Sequence, residues 1–213
     1  MNRFVVTVVL CLLATTLAAG QDTGSRARPM SSALALALLC INEAGWDCFE
    51  SGDGLAIHEV LLRGAHRNRM SYAGFARAYA GRLFGARPHR VSRMHWVGEL
   101  TPDCTEPPSW PRVSTRRVGG SVRVVEHPPW SHYVDSCRSV MERAREVVSL
   151  SLDNVEDWSR CESPVHDWGG SMDRDRAARI GLVEIECGET ANDFYCRPGV
   201  DIGCRDASEG PED

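Results

Sequence analysis

The sequence feature that most restricts the fold is a run of mainly alanine and leucine over residues 33–41, followed by one acidic side chain, Glu43. Ser31 or Ser32 provides a helix cap before this run, and Gly45 tolerates the left-handed backbone angles found at helix ends. The apolar part is too short to span a bilayer. The pattern therefore predicts a buried core helix against which the rest of the domain packs.

Glu43 shares a helical face with core positions, because Cys40, Leu39 and Leu36 precede it by three, four and seven residues. On this spacing we expect Glu43 to be poorly solvated. Burial and the negative end of the helix dipole both disfavour an ionised carboxylate, so we expect a raised pKa for Glu43, in the range of a general acid. A Glu43 side chain turned to the solvent at the helix end is the alternative.

The first 20 residues have the three-part layout of a secretory signal peptide, with a basic start, an apolar stretch and small residues. After it we predict a flexible linker over residues 21–30, a single catalytic domain over residues 31–205 and an acidic disordered tail over residues 206–213. The expected location is secreted or periplasmic, with no transmembrane segment in the mature protein. The oligomeric state stays open.

Eight of the nine cysteines remain once Cys11 leaves with the signal peptide. An even number of cysteines in an exported protein indicates up to four disulfides. A zinc site built from cysteines is disfavoured, because the chain contains no CxxC pair. The expected pairs are Cys40 with Cys48, Cys161 with Cys187, Cys196 with Cys204, and the remaining two, Cys104 with Cys137.

The charge balance argues against nucleic acid as a partner. The formal net charge is −5, and one further positive charge leaves with Arg3. Eight arginines nevertheless fall in one central region, which indicates either a solvated surface or a face for an anionic polymer such as a cell-envelope glycan. These residues are Arg82, Arg87, Arg90, Arg93, Arg112, Arg116, Arg117 and Arg123.

Hydrophobic spacing predicts three further main helices. One runs from a cap at Asp53 to about His66, and the next follows Ser71. The last begins after Ser131 and carries an apolar stripe that should pack on the first helix.

The other segments are predicted to be less regular. The proline-rich residues 85–129 form a long loop containing a β-hairpin that turns at Gly119 and Gly120. A short helix is expected over residues 173–180 and a short strand over residues 182–187. Together these elements indicate a mainly α fold of the α+β class, with a small β-hairpin and long irregular loops, stapled by disulfides.

Three short motifs resemble the opening of the bacterial cell-wall hydrolase family that includes the spore-cortex-lytic enzymes: Glu43-Ala44-Gly45-Trp46-Asp47, Gly54-Leu55-Ala56-Ile57 and Val60-Leu61-Leu62-Arg63. That family has a Glu-Ala pair with a second acidic residue four positions after the Glu, then a helix of similar pattern. The order continues through a helix at residues 134–148, a loop at residues 161–170, and residues 192–195, where the family has His-x-Phe-Tyr. The chain differs by lacking the Arg of the family's Glu-Ala-Arg-Gly-Glu, by an insertion at residues 48–51, and by Asn192 in place of His.

This resemblance implies a lysozyme-like helical fold that cleaves the glycan strands of peptidoglycan, as a muramidase or lytic transglycosylase does, without a cofactor or a metal. Glu43 would be the catalytic general acid. One carboxylic acid suffices when the N-acetyl group of the substrate assists departure of the leaving group. Aromatic rings and polar groups would hold the sugars. The substrate-binding candidates are Trp46, Asp47, His166, Trp168, Asn192 and Tyr195, and packing or surface roles are their alternatives.

Two other functions stay open. The first is a non-catalytic, disulfide-rich protein that binds or supports the cell envelope. The second is a zinc peptidase of the D-Ala-D-Ala type, because His166 and Asp173 are seven residues apart with Gly169 between them. A catalytic zinc needs three protein ligands, and no histidine follows His166. The other histidines, including His58, show no spacing typical of a site, and we expect surface or interface roles for them.

Overall fold

The computed structural model of the chain describes residues 30–79, 95–118, 121–169, 174–200 and 204. The predicted signal peptide, most of the linker, four of the central arginines, Asp173 and the acidic tail lie outside these residues. The helices are α1 (Ser32–Ala44), α2 (Asp53–Asn68), α3 (Tyr72–Tyr79), α4 (Val134–Val147), α5 (Val155–Trp158) and α6 (Arg174–Arg179). The strands are β1 (Val113–Val118), β2 (Ser121–Glu126), β3 (Asp167–Gly169), β4 (Val183–Ile185) and β5 (Asp193–Cys196). Within the described ranges, no helix has both the length and the apolar character to cross a membrane.

Helix α1 is the buried core helix that the sequence predicts. Its N-terminus is capped by Ser31, whose Oγ accepts a hydrogen bond of 3.2 Å from the Leu34 N–H. The helix ends because Gly45 has a φ of 84°, and its N–H donates to the Ile41 carbonyl oxygen at 3.0 Å. Residues 35–41 are all buried, as expected for a helix without a polar face.

Helix α4 packs against α1, as predicted. Its buried side chains recur at spacings of three and four along an otherwise polar helix. Burying one Val or Met side chain stabilises a fold by roughly 1.5–3 kcal/mol, so this stripe fixes α4 more strongly than helix propensity does. The buried residues are Cys137, Val140, Met141, Ala144 and Val147.

All four predicted disulfide pairs are present. Two of them join cysteines with a sequence separation of 8. One links Cys40 in α1 to Cys48, and the other links Cys196 at the end of β5 to Cys204. Cys104–Cys137 attaches the irregular segment before β1 to α4. Cys161–Cys187 joins the two loops that precede β3 and follow β4. Such bonds are typical of proteins that fold in oxidising compartments.

The described part of the predicted long loop is more ordered than its proline content indicates. It contains a 3₁₀ helix, His95–Glu99, and supplies much of an aromatic cluster whose ring centroids are 4.7–6.5 Å apart. The indole N–H of Trp110 donates to the Pro128 carbonyl oxygen at 3.1 Å, and that of Trp130 to the Cys104 carbonyl oxygen at 3.0 Å. The cluster consists of Trp46, Trp96, Trp110, Trp130 and Tyr133.

Two antiparallel sheets complete the fold. The predicted hairpin is formed by β1 and β2, with Val113 opposite Glu126 and Val118 opposite Ser121. The second sheet has the strand order β3-β5-β4. Of the three strands in this second sheet, only β4 is predicted, as part of the expected strand over residues 182–187. Strands β3 and β5 have three and four residues, which is too short for an alternating pattern to be recognised. The fold is therefore mainly α with small antiparallel sheets, as expected for the α+β class.

His58 is buried inside the domain, so the prediction of a surface or interface role is wrong for this residue. Its side chain is 0% exposed, its Nδ1 lies 2.9 Å from the Tyr72 hydroxyl, and its ring packs 5.4 Å from that of Trp158. Burial lowers the pKa of His58 to about 4, and a backbone hydrogen bond involving Leu150 partly opposes this effect. The imidazole is therefore neutral in the folded protein at pH 7.

Replacing His58 with glutamine is expected to reduce the loss of unfolding free energy that occurs as the pH falls from about 6.5 to about 4. The unfolded chain protonates this group near pH 6.5 and the folded chain only near pH 4. The contribution of His58 to the free energy of unfolding is therefore fully present above about pH 6.5 and is lost as the pH falls toward 4. The loss amounts to about 3 kcal/mol at roughly 1.4 kcal/mol per pKa unit.

Urea unfolding at about pH 7.5 and about pH 4 measures this loss. His66→Gln, at the exposed end of the same helix, is the control and should keep the acid sensitivity of the wild type. Identical pH profiles for wild type and His58→Gln would contradict the assignment.

Candidate active site

A groove of about 340 Å³ lies between the end of α3, the three-stranded sheet and α6. Its lining combines three aromatic rings, two charged side chains and three aliphatic side chains. Grooves that combine ring faces with a few convergent polar groups are the usual form of small-molecule sites. The lining residues are Tyr79, Asp167, Trp168, Arg176, Ala177, Ile180, Leu182 and Tyr195.

Strand register places three of these residues together. Asp167 of β3 lies opposite Tyr195 of β5, and Trp168 lies opposite Phe194. The Trp168 ring stacks on Tyr79 of α3, with centroids 4.6 Å apart and an interplanar angle of 26°. The Tyr79 hydroxyl donates a hydrogen bond to the Asp167 carboxylate. One wall of the groove is therefore a stacked pair of rings with a hydrogen-bonded carboxylate at its edge.

The Tyr79 phenol is held in its neutral form. Although the residue is 39% exposed, burial of the phenol raises its pKa well above the usual value. The negative charge of Asp167 and its hydrogen bond raise the pKa further, and the charge of Glu43 adds a smaller contribution. Tyr79 can therefore donate a hydrogen bond at neutral pH but cannot serve as a base. The end of α1 lies near the strands that line the groove, because Asn192, just before β5, has its Nδ2 3.4 Å from the Glu43 backbone oxygen.

Glu43 itself is exposed, so the prediction that it is poorly solvated is wrong. Leu36, Leu39 and Cys40 on the same helical face are buried, but α1 ends one residue after Glu43. The side chain therefore lies beyond the edge of the core. The Asn42 Nδ2 donates to Glu43 Oε1 at 2.8 Å, which orients the carboxylate at the surface.

Asn192 lies beside Glu43, but it is directed toward another carboxylate. Its Nδ2 donates to Asp53 Oδ1 at 2.8 Å and approaches the backbone oxygen of Glu43 at 3.4 Å. Asp53 is 0% exposed and also accepts hydrogen bonds from the Ser51 hydroxyl and from the N–H groups of Ala191 and Asn192. The predicted role of Asp53 as a helix cap is therefore wrong, since Gly52 occupies the cap position and the Asp53 carboxylate holds the loop before β5.

His166 has a structural setting. The side chain is buried. The backbone N–H of His166 donates to the Tyr195 carbonyl oxygen at 2.8 Å, and its ring Nδ1 accepts from the backbone N–H of Arg197 at 3.0 Å. It is not among the residues that line the groove. Within the described residues, no group of three His, Cys, Asp or Glu side chains is arranged to hold a metal ion.

The two remaining predicted contacts lie elsewhere. Trp46 belongs to the aromatic cluster, with its ring stacked against Trp96 and Tyr133 at 5.8 Å and 5.7 Å. Asp47 is exposed, and its backbone oxygen accepts from the N–H groups of Glu50 and Ser51. The structure thus brings Trp168 and Tyr195 into one groove with Glu43 and Asn192 close to its end, while His166, Trp46 and Asp47 are not part of it.

Sequence reasoning missed Tyr79, Asp167 and Arg176 as groove residues. Tyr79 continues the helical spacing of Tyr72 and Phe75, a pattern that is more typical of core residues than of a ligand site. The hydrogen bond between Tyr79 and Asp167 spans 88 residues of sequence, and no local pattern reports such a contact.

Compared with models of protein families, with curated proteins and with solved structures, the chain gives no match.

Asp53→Asn is expected to loosen the loop that carries Asn192. An asparagine keeps one acceptor oxygen but turns an NH₂ group toward donors, so about half of the hydrogen bonds to this buried carboxylate are lost. The free energy of unfolding should fall by roughly 2–4 kcal/mol. Amide hydrogen exchange should accelerate at Ala191 and Asn192. Denaturant unfolding and exchange mass spectrometry measure both effects.

Asp47→Asn is the matched control, since Asp47 is exposed in the neighbouring turn. It should stay within about 0.5 kcal/mol of the wild type. An Asp53→Asn protein with wild-type stability and wild-type exchange at Ala191 would rule out the anchoring role.

Proposed function

We propose that the protein is an exported enzyme that cleaves the glycan strands of peptidoglycan, with Glu43 as general acid and the Tyr79–Trp168 groove as part of the sugar-binding surface. The observation that carries the proposal is an exposed carboxyl group at the end of α1, where the helix meets the residue before β5, together with a groove on the same sheet that is walled by stacked aromatic rings. Sugar rings present C–H faces that pack on aromatic planes, while their hydroxyls hydrogen-bond to side chains such as Asp167 and Arg176.

The ordered motifs from Glu43 to Tyr195 support the same reading, because they resemble those of the spore-cortex-lytic enzymes, which implies a lysozyme-like fold. Four disulfides are compatible with an exported protein.

The exposure of Glu43 is compatible with a proton donor that works only with substrate bound. In the free protein its carboxyl group faces water. A sugar chain lying over the end of α1 would displace that water and bring the carboxyl group into contact with the substrate. Glu43 would then give its proton to the glycosidic oxygen while the N-acetyl group of the substrate assists departure. The resulting carboxylate would act as the base that completes either hydrolysis or formation of a 1,6-anhydro ring.

One observation favours a second candidate, a non-catalytic protein that binds the cell envelope. Glu43 is exposed and is not itself among the groove-lining residues. In that case the groove would bind a glycan without cleaving it. Binding to sacculi without release of soluble fragments would distinguish this function from the enzymatic one.

Glu43→Gln is expected to reduce cleavage of purified sacculi at least a hundredfold, because general acid catalysis contributes about 10²–10⁴ in rate. Mass spectrometry of the released fragments measures the rate and separates anhydro from reducing ends. Asp47→Asn, four residues further along the chain and also exposed, is the control and should keep at least half of the activity. The proposal fails if the wild type releases nothing or if Glu43→Gln releases as much as the wild type.

A further inference from the structure

A second groove, of about 290 Å³, lies between the turn after α1, the middle of α4 and the segment before Cys161. Its floor is apolar and its rim is charged. The floor consists of Trp46, Phe49 and Val140, and the rim of Glu50, Ser139, Arg143 and Arg160. Neither the family resemblance nor the groove at Tyr79 accounts for these rim residues.

The floor of this second groove is held by packing. The Trp46 ring is fixed by stacking on Trp96 and Tyr133. Phe49 lies directly against Gly54, where a Cβ atom would come within 2.3 Å of the Phe49 ring. The Cys40–Cys48 disulfide attaches the turn that contains Trp46 and Phe49 to helix α1. The apolar floor is therefore formed before any ligand enters, which lowers the entropic cost of binding.

The rim carries two guanidinium groups and one carboxylate. Arg143 donates to Glu146 at 2.5 Å, with both side chains more than half exposed, so this pair is weak and open to exchange. Arg160 is exposed and forms no ion pair with any other described residue. Guanidinium groups bind carboxylates through paired hydrogen bonds, so the rim suits a ligand with two carboxylates and one ammonium group opposite Glu50.

The same short segment of chain lies near both grooves. The Glu43 backbone oxygen is 3.4 Å from Asn192 Nδ2, just before the strand whose Tyr195 lines the first groove. Trp46, three residues after Glu43, lines the second groove. A ligand held in the second groove would therefore lie close to the proposed catalytic residue. The peptide stems of peptidoglycan have the required chemistry, since they carry small apolar residues, free carboxylates and the amino group of a diamino acid.

We infer that the second groove binds the acidic peptide stem of the polymer whose glycan strand the first groove holds. This inference rests on the proposed function for the identity of the polymer. Apolar stem residues pack on Trp46 and Phe49, the carboxylates pair with Arg143 and Arg160, and the diamino acid ammonium pairs with Glu50. The enzyme would thereby prefer glycan strands that still carry peptides.

Titration of the Glu43→Gln protein with N-acetyl-L-Ala-γ-D-Glu-L-Lys tests the groove independently of cleavage. The indole resonance of Trp46 should shift, and the peptide with both carboxylates amidated should bind at least tenfold more weakly. Arg160→Gln should weaken binding of the acidic peptide about three- to tenfold. Arg67→Gln, an exposed arginine at the end of α2 outside the groove, removes the same charge and should change nothing.

Equal affinity for the acidic and amidated peptides, no binding at millimolar peptide, or wild-type affinity in Arg160→Gln would overturn the inference.

Cleavage assays separate the peptide-binding inference from the proposed function. If Arg160→Gln slows digestion of intact sacculi but not of peptide-free glycan strands, both proposals are supported. Arg160-dependent peptide binding without any glycan cleavage would retain the groove and reject the enzyme. If glycan strands with and without peptides are cleaved at the same rate, and Arg160→Gln does not change that rate, the enzyme is retained and the peptide-binding groove is rejected.

Discussion

Two buried carboxylates on α2 hold the C-terminal third of the domain to its helical core. Asp53 binds the loop before β5, and Glu59 accepts hydrogen bonds from Arg63, the Ser159 hydroxyl and the Val165 N–H. A buried carboxylate without partners costs several kcal/mol, so both loops must close onto α2 for the chain to fold. The Cys161–Cys187 disulfide joins these loops, and together the contacts place β3 and β5 beside the end of α1.

The helical core follows from the sequence because its signals are local. The capping Ser31, the apolar run over residues 35–41 and Gly45 define α1, and the stripe of α4 defines the surface that covers it. Disulfide pairs eight residues apart are also local. The groove is different, because its walls come from α3 and from strands of three or four residues joined by contacts across long sequence separations. Periodicity carries no information about such contacts, so the sequence does not identify Tyr79 and Asp167 as groove residues.

Glu43 shows how sequence spacing can mislead at a helix end. Its spacing from Leu36, Leu39 and Cys40 is that of a buried position, yet the core ends one turn earlier and the carboxyl group faces water. A catalytic role in this setting depends on the substrate to exclude water rather than on a preformed apolar pocket. The parts of the site that are held by side-chain contacts are instead the stacked rings of Tyr79 and Trp168 and the loop anchored by Asp53.

The most direct measurement is a crystal structure of the Glu43→Gln protein with a peptidoglycan tetrasaccharide bound. The account predicts a sugar ring packed on the Trp168–Tyr79 wall and a glycosidic oxygen within about 3 Å of the side chain of residue 43. A glycan bound elsewhere, or bound in the groove with its glycosidic oxygens out of reach of residue 43, would contradict the central claim that Glu43 is the proton donor.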